Sequence, residues 1–202
     1  MARILGITGN IACGKTAVGW MLLDLGVETY IDADELVHRL YLSGQPIALA
    51  LAESFGDTVM AADGSVDRQA LGAVVFQDPA ALRRLEAIVH PAVGVAMIET
   101  LAQVSPTGVA VIDAVKLLEG GSGTLCQGKW LITCPEEQEL ARLIARNGLS
   151  EAEACARLQA QPSNERRLPL VDEVIDNGGS LEETRRQVEA AFGRFCERFP
   201  VA

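Results

Sequence analysis

Gly9-Asn10-Ile11-Ala12-Cys13-Gly14-Lys15-Thr16 fits the phosphate-loop pattern G-x-x-x-x-G-K-[ST] at every fixed position. Glycines at both ends let the backbone turn tightly and bring its N–H groups close to an anion. Lys15 is spaced to reach the β- and γ-phosphates of ATP, and the Thr16 hydroxyl to ligate Mg²⁺. Loop and helix N-terminus, residues Gly9 through Ala17, thus form a candidate site for a phosphate chain. The chain has 19 Gly, three Lys and 17 Ser plus Thr. Those frequencies yield roughly 0.002 chance matches.

The flanks support the motif. Arg3-Ile4-Leu5-Gly6-Ile7-Thr8 reads as a short apolar strand. Ala17 to Leu23 reads as a helix running to about Leu25, with Gly26 at its C′ position. Glu28-Thr29-Tyr30-Ile31 reads as a second strand leading into Asp32-Ala33-Asp34. Strand, helix and strand within about thirty residues predict a βαβ unit and a parallel sheet.

The 202 residues suit one sizeable domain with small appended parts, and 49% of them are hydrophobic. A net charge of −10 disfavours a nucleic-acid or anionic-membrane partner. The five cysteines are odd in number, form no C-x-x-C, and have only His38 and His90 as imidazole companions. That pattern argues against a zinc site or disulfide framework and points to a reducing, cytoplasmic setting. No stretch reads as a signal peptide or membrane span. The expected assembly is a monomer or weak homo-oligomer.

Further along, from Asp34 to Gln103, apolar residues recur at helical spacing, with breaks at Gly44-Gln45-Pro46, Asp63-Gly64, Asp78-Pro79 and His90-Pro91. This reads as a helical insertion, residues 34–108, and such an insertion in a P-loop enzyme holds the second substrate. At His90-Pro91 the proline fits the first position of a new helix. Val109-Ala110-Val111-Ile112, ending at Asp113, reads as strand three, and Lys129 to Thr133 as strand four. Pro135 suits helix position N1, with Glu136 and Glu137 in the first turn. Ser150-x-x-Glu153 and Ser180-x-x-Glu183 are capping-box patterns. Gln161 to Arg167 is polar and reads as mobile. Val174-Ile175-Asp176 reads as strand five. Leu181, Val188, Phe192, Phe195 and Phe199, at spacings of 7, 4, 3 and 4, form one core-packing stripe on the last helix.

The expected architecture is α/β: a five-stranded parallel sheet flanked by helices, like the P-loop nucleotide-hydrolase fold, with a helical insertion and a lid. The nucleotide core comprises residues 1–33, 109–146 and 168–202, and the lid residues 147–167.

Three carboxylates sit at strand ends, where open parallel sheets bind ligands. Asp32 and Asp34 follow strand two and are expected in the same crevice as the loop. One can accept a proton from an acceptor hydroxyl and the other hold water around Mg²⁺; the structural alternative is a helix cap followed by a first-turn acid. Asp113 stands where a Walker-B aspartate stands, or is a turn residue. Arg142 and Arg146 share a helix face, and Arg166 and Arg167 lie in the polar segment. Arginines on a mobile segment can close over a transferring phosphoryl group; surface ion pairing is the plainer reading. Cys13, beside a helix N-terminus, is expected to have a lowered thiol pKa.

With these residues laid out, the chain resembles the dephospho-CoA kinase family over nearly its whole length. The resemblance rests on Ile7 through Thr16, Asp32-Ala33-Asp34, His90-Pro91, Asp113 through Leu117-Leu118-Glu119, Arg142 through Ser150, and Asp172 through Asn177. It implies a phosphotransferase with an alcohol acceptor, a helical domain that holds the CoA moiety, and a lid. The implied reaction is ATP-dependent phosphorylation of the ribose 3′-hydroxyl of dephospho-CoA. It implies Asp34 as the residue acting on that hydroxyl, Asp32, Asp34 and His90 as substrate residues, and Arg142 and Arg146 as lid arginines beside Lys15. Thr16, Asp32 and Asp113 form the expected Mg²⁺ set.

The chain departs from the family in two places. The loop commonly begins with two glycines, and Asn10 takes the second place; asparagine tolerates positive φ. Ala114-Val115-Lys116 stands where the family often has Pro-Leu-Leu. Two rival readings remain at this point: a small P-loop kinase acting on a nucleoside monophosphate or metabolite, and a nucleotide switch without transfer chemistry. No N-K-x-D or D-x-x-G segment supports a guanine-nucleotide switch.

Overall fold

The computed structural model describes residues 2–200. Five strands, β1 (Arg3–Thr8), β2 (Thr29–Asp32), β3 (Val109–Asp113), β4 (Gly128–Thr133) and β5 (Glu173–Asp176), form one parallel sheet in the order β2-β3-β1-β4-β5. The loop-bearing strand is central. Its register sets Ile7 beside Asp113 and Trp130. Alternate residues of the strands, Leu5 and Ile7, Val109 and Val111, Trp130 and Ile132, point to one face and are buried. Helices α1 (Lys15–Asp24) and α9 (Leu181–Arg198) cover that face with Val18, Leu22, Val188 and Phe195. The predicted α9 stripe holds except at its first member: Leu181 is 66% exposed. It is the first residue of the helix, beyond the sheet-covering turns.

The chain divides into two compact units, Met1–Ile31 with Gln103–Ala202, and Asp32–Ala102. The second contains α2 (Ala33–Leu40), α3 (Pro46–Phe55), α4 (Arg68–Val75) and α5 (Pro79–Leu101) around Leu51, Val59, Leu71, Val75 and Val89. Asp67 and Asp78 cap α4 and α5 through their carboxylates.

His90-Pro91 is not a helix start. α5 runs through Pro91 without a break. A proline here removes one backbone hydrogen bond, at a cost of about 3 kcal/mol in a helix interior. Burial of Val89 and Met97 on either side offsets this. A fully buried side chain of that kind contributes about 1.5–3 kcal/mol.

The first unit also carries α6 (Glu136–Asn147), α7 (Glu151–Gln159) and the short α8 (Asn164–Arg167). Pro135 is the N-cap of α6 rather than its first residue, with Glu136, Glu137 and Glu139 in the first turn. Ser150 with Glu153, and Ser180 with Glu183, form complete capping boxes.

Candidate active site

β1 delivers the chain into the loop at Thr8. Gly9 (φ 152°) and Gly14 (φ 101°) have left-handed backbone. Both are also closed in: a Cβ on Gly9 would meet the Ile132 carbonyl oxygen, and one on Gly14 the Asn177 side-chain amide. Between them Ala12 has φ 65°, alone in the positive region among the described non-glycine residues. Such a residue costs roughly 1–3 kcal/mol and persists only where its surroundings over-determine it. The strain therefore falls on Ala12 and not on Asn10, whose tolerance of positive φ is not used.

The surroundings come from distant segments. Asn177, just past β5, donates through Nδ2 to the Cys13 carbonyl at 2.9 Å, and its own Oδ1 accepts from Thr184 Oγ1 at 3.0 Å. Arg142, from α6, directs Nη1 at the same Cys13 carbonyl (3.4 Å), while Nη2 donates to Gln138 Oε1 (2.9 Å). The Ile11 amide donates to Gln161 Oε1 at 2.7 Å. Lys15 is half-buried, and its ammonium donates to the Gly9 and Asn10 carbonyls at 3.1 and 3.2 Å. Thr16 is exposed in the first turn of α1.

Asn10 is the hub of a charged cluster. Its Oδ1 accepts from Arg167 Nη1 at 2.9 Å, and its Nδ2 donates to Glu139 Oε2 at 3.2 Å. Arg167 is 1% exposed; Nη2 donates to the Val115 carbonyl at 2.9 Å, and Nε faces Glu119 Oε1 at 3.8 Å. Glu139 is 2% exposed, and burial raises its carboxyl pKa above the ordinary value. Its Oε1 is buried without a hydrogen-bond partner. A cleft beside the loop is lined by Asn10, Cys134, Glu139, Gln161 and Asn164.

The sequence-selected residues fall into separate settings. Arg142 reaches the loop backbone, whereas Arg146 is exposed and bonds Asn147 Oδ1 at 3.0 Å. Their shared helix face does not give them a shared target. Asp113 is 4% exposed, with its Oδ2 accepting from Tyr30 Oη at 2.5 Å.

In the second unit, Asp32 caps α2: its Oδ1 accepts from the Asp34 and Glu35 amides at 2.9 and 3.1 Å. Asp34 is the exposed second residue of that helix. His90 is exposed in the middle of α5. Among the described residues no group of three His, Cys, Asp or Glu side chains comes together to hold a metal.

Gln161, Arg167, Glu139 and Asn177 carry the loop's support, and sequence reasoning did not single them out for it. Asn177 had a usable signal, since it lies at the carboxyl end of a strand in a parallel sheet. Arg167 reads from the sequence as a phosphoryl-closing arginine or a surface ion pair, and no local signal marks that its guanidinium is buried. The segment read as mobile is tied to the loop at Gln161 and Arg167.

Cys13 corrects another expectation. Its thiol pKa is raised to about 11, because burial outweighs the lowering by Lys15. The Cys126 thiol is likewise pushed up to about 12 by burial. Both thiols are protonated at pH 8. Iodoacetamide at that pH is expected to leave Cys13 and Cys126 unmodified in the folded protein and to modify them in urea. Peptide mass mapping checks this, and rapid labelling of Cys13 in the native state would contradict its burial.

No helix among the described residues is long and apolar enough to cross a membrane. The dephospho-CoA kinase family pattern matches residues 3–183. A dephospho-CoA kinase of Symbiobacterium thermophilum is 45% identical over 196 residues, covering 96% of this chain and 82% of the relative. A solved structure from Thermus thermophilus is similar with a TM-score of 0.83 at 34% identity, covering 96% of this chain and 97% of its own. A dephospho-CoA kinase structure from Campylobacter jejuni is similar with a TM-score of 0.71 at 26% identity, covering 98% and 99%.

Proposed function

We propose, from the premise that this chain belongs to the dephospho-CoA kinase family, that it uses ATP to phosphorylate the ribose 3′-hydroxyl of dephospho-CoA. The product is coenzyme A, and the reaction is the last step of its biosynthesis. The observation that carries the reading is the phosphate loop itself. Its backbone is held in a strained cradle by Asn177 and Arg142, with Lys15 at its end.

In this reading the loop amides and the Lys15 ammonium hold the phosphate chain and stabilise charge as the phosphoryl group leaves. Arg142 holds the loop through the Cys13 carbonyl, and Arg146, exposed near the end of α6, leaves its contact with Asn147 to turn toward the phosphates. Residues 147–167 serve as the lid, and residues 34–108 take the CoA moiety, with His90 among the contacts. Asp34 orients the acceptor hydroxyl and takes its proton.

Mg²⁺ fits this chain as a sparsely held ion. It keeps several waters and needs one or two protein oxygens besides phosphate. The exposed Thr16 hydroxyl would supply one, and Asp32 and Asp113 would order its water shell. When bound, the ion neutralises charge on the β- and γ-phosphates.

The test is a panel of acceptors: dephospho-CoA, nucleoside monophosphates and small hydroxylated metabolites, with ADP release as readout. Dephospho-CoA alone is expected to raise ADP release strongly, with 3′-phosphorylated product identified by mass. A nucleoside monophosphate as the better acceptor would replace this reading. Slow ATP hydrolysis indifferent to every acceptor would make the protein a nucleotide-binding module.

A further inference from the structure

We propose that Glu139 is a proton-binding partner of the phosphate loop: a phosphate chain that settles at Lys15 draws a proton from solvent onto the Glu139 carboxylate. This deepens the reading of the loop as an ATP site and rests on it.

Glu139 stands in the first turn of α6 and is 2% exposed. Its Oε2 accepts from the Asn10 side-chain amide at 3.2 Å, and its Oε1 is buried with no hydrogen-bond partner. Among the described residues Glu139 forms no ion pair. Arg167 directs its guanidinium to Asn10, to the Val115 carbonyl and to Glu119 instead. A buried carboxylate held by one neutral donor is costly in its charged form. Burial accordingly makes this carboxyl hold a proton more tightly than an ordinary glutamate does.

Lys15 is the neighbour whose effect a ligand changes. Its ammonium rests on the carbonyl of Asn10, the residue whose side chain holds Glu139. Its positive charge favours the ionised carboxylate. A polyphosphate at Lys15 cancels that charge and adds negative charge of its own. Coulombic coupling of this kind acts over several ångströms and needs no contact between Glu139 and the ligand.

The other groups around Glu139 do not compensate. Arg167, on α8, stays charged and bound to Asn10. The thiols of Cys13, in the loop, and Cys134, after β4, are neutral because burial raises both. Glu136 on the same helix raises the proton affinity further, and Glu165 of α8 adds a carboxylate to the lining of the same cleft. Carboxylate plus one proton gives the neutral acid, and no other bond changes.

Two pH dependences follow from the sign. Without ligand, the folded carboxyl binds its proton more tightly than the unfolded one. Glu139 therefore costs stability as pH rises from the ordinary carboxylate range through the raised value. With nucleotide the value rises again. Affinity falls with pH between the free and bound values, by at most about tenfold per pH unit.

The experiment titrates wild type and Glu139→Gln with a non-hydrolysable ATP analogue by calorimetry, from about pH 5 to about pH 8, in two buffers of different ionisation heat. Glutamine keeps the size and an acceptor for Asn10 but has no titrating proton. Protonation of the ligand itself is common to both proteins and cancels in their difference. At the acid end the two are expected to bind within about twofold, and at the alkaline end Glu139→Gln about tenfold more tightly. Wild type is expected to take up more protons on binding than the variant. Without ligand, the melting temperature of Glu139→Gln is expected to gain on wild type as pH rises.

A purely structural role shifts affinity by the same factor at every pH. A pH-independent affinity ratio, or equal proton uptake by the two proteins, overturns the proposal. Should Glu139→Gln fail to fold, wild type labelled with ¹³C at its glutamate carboxyls decides. One carboxyl is expected to titrate above the ordinary range, and higher still with the analogue; absence of such a carboxyl overturns the proposal. Failure of wild type to bind the analogue at any pH removes the loop reading and this proposal with it. Absence of dephospho-CoA turnover, with proton-linked nucleotide binding intact, defeats the proposed reaction and leaves the role of Glu139 standing.

Discussion

Lys15→Ala is expected to lower kcat by ~10²-fold or more, the size of effect seen when a preorganised electrostatic donor is removed. The ammonium is half-buried and rests on the Gly9 and Asn10 carbonyls. Losing those two contacts costs the fold little, because each net hydrogen bond contributes about 0.5–1.5 kcal/mol. The loop keeps its shape through Asn177 on Cys13 and Arg167 on Asn10. The loss should therefore appear in turnover at saturating substrates, with a melting temperature within a few degrees of wild type. Lys15→Arg is not a neutral control, since a planar guanidinium does not reproduce a compact ammonium. Most activity surviving in Lys15→Ala would remove the loop from the mechanism.

Asp34→Asn is expected to lower kcat by ~10²-fold while leaving ATP affinity within a few-fold of wild type. General-base contributions run ~10²–10⁴-fold. Phosphoryl transfer is largely dissociative, so positioning matters more than proton removal and the low end applies. The structure sharpens the test by separating the two aspartates. Asp32 is the helix cap, with Oδ1 on the Asp34 and Glu35 amides. Asp34 is exposed and is not a cap, so its structural contribution is the first-turn charge, about 0.3–1 kcal/mol. Asn is size-matched to Asp and cannot serve as the base. Melting temperature, nucleotide affinity and dephospho-CoA turnover on one preparation distinguish the roles. A stable, ATP-binding Asp34→Asn enzyme with near-normal turnover would move the role to Asp32. Asp32→Asn is then informative, because asparagine caps a helix about as well as aspartate.

The features legible in the sequence are those whose cause lies within a few residues. Gly9 through Thr16 carry the phosphate loop in their own order and spacing. Ser150 with Glu153 and Ser180 with Glu183 announce two helix starts, because a capping box closes within one turn. The apolar runs that end at Thr8, Asp113, Thr133 and Asp176 became strands of one parallel sheet. Period and punctuation are local quantities, so one sequence suffices to read them.

The tertiary structure decided what depends on burial and on contacts distant in the chain. Pro91 reads locally as a helix start, yet α5 continues through it because the flanking turns bury Val89 and Met97. Cys13 reads as an activated thiol from its place beside a helix, and burial reverses the sign. Asn10 reads as a backbone accommodation, and its side chain turns out to join Arg167 to Glu139. The contacts that hold the loop, from Asn177, Arg167 and Gln161, span 164, 157 and 150 residues. No local pattern encodes such pairs, since they exist only once the sheet brings the ends of β1, β4 and β5 together. The sequence by itself determined which loop carries the phosphate-loop pattern; the fold determined which side chains hold that loop in shape, because desolvation and long-range hydrogen bonds are properties of packed neighbours and not of chain order.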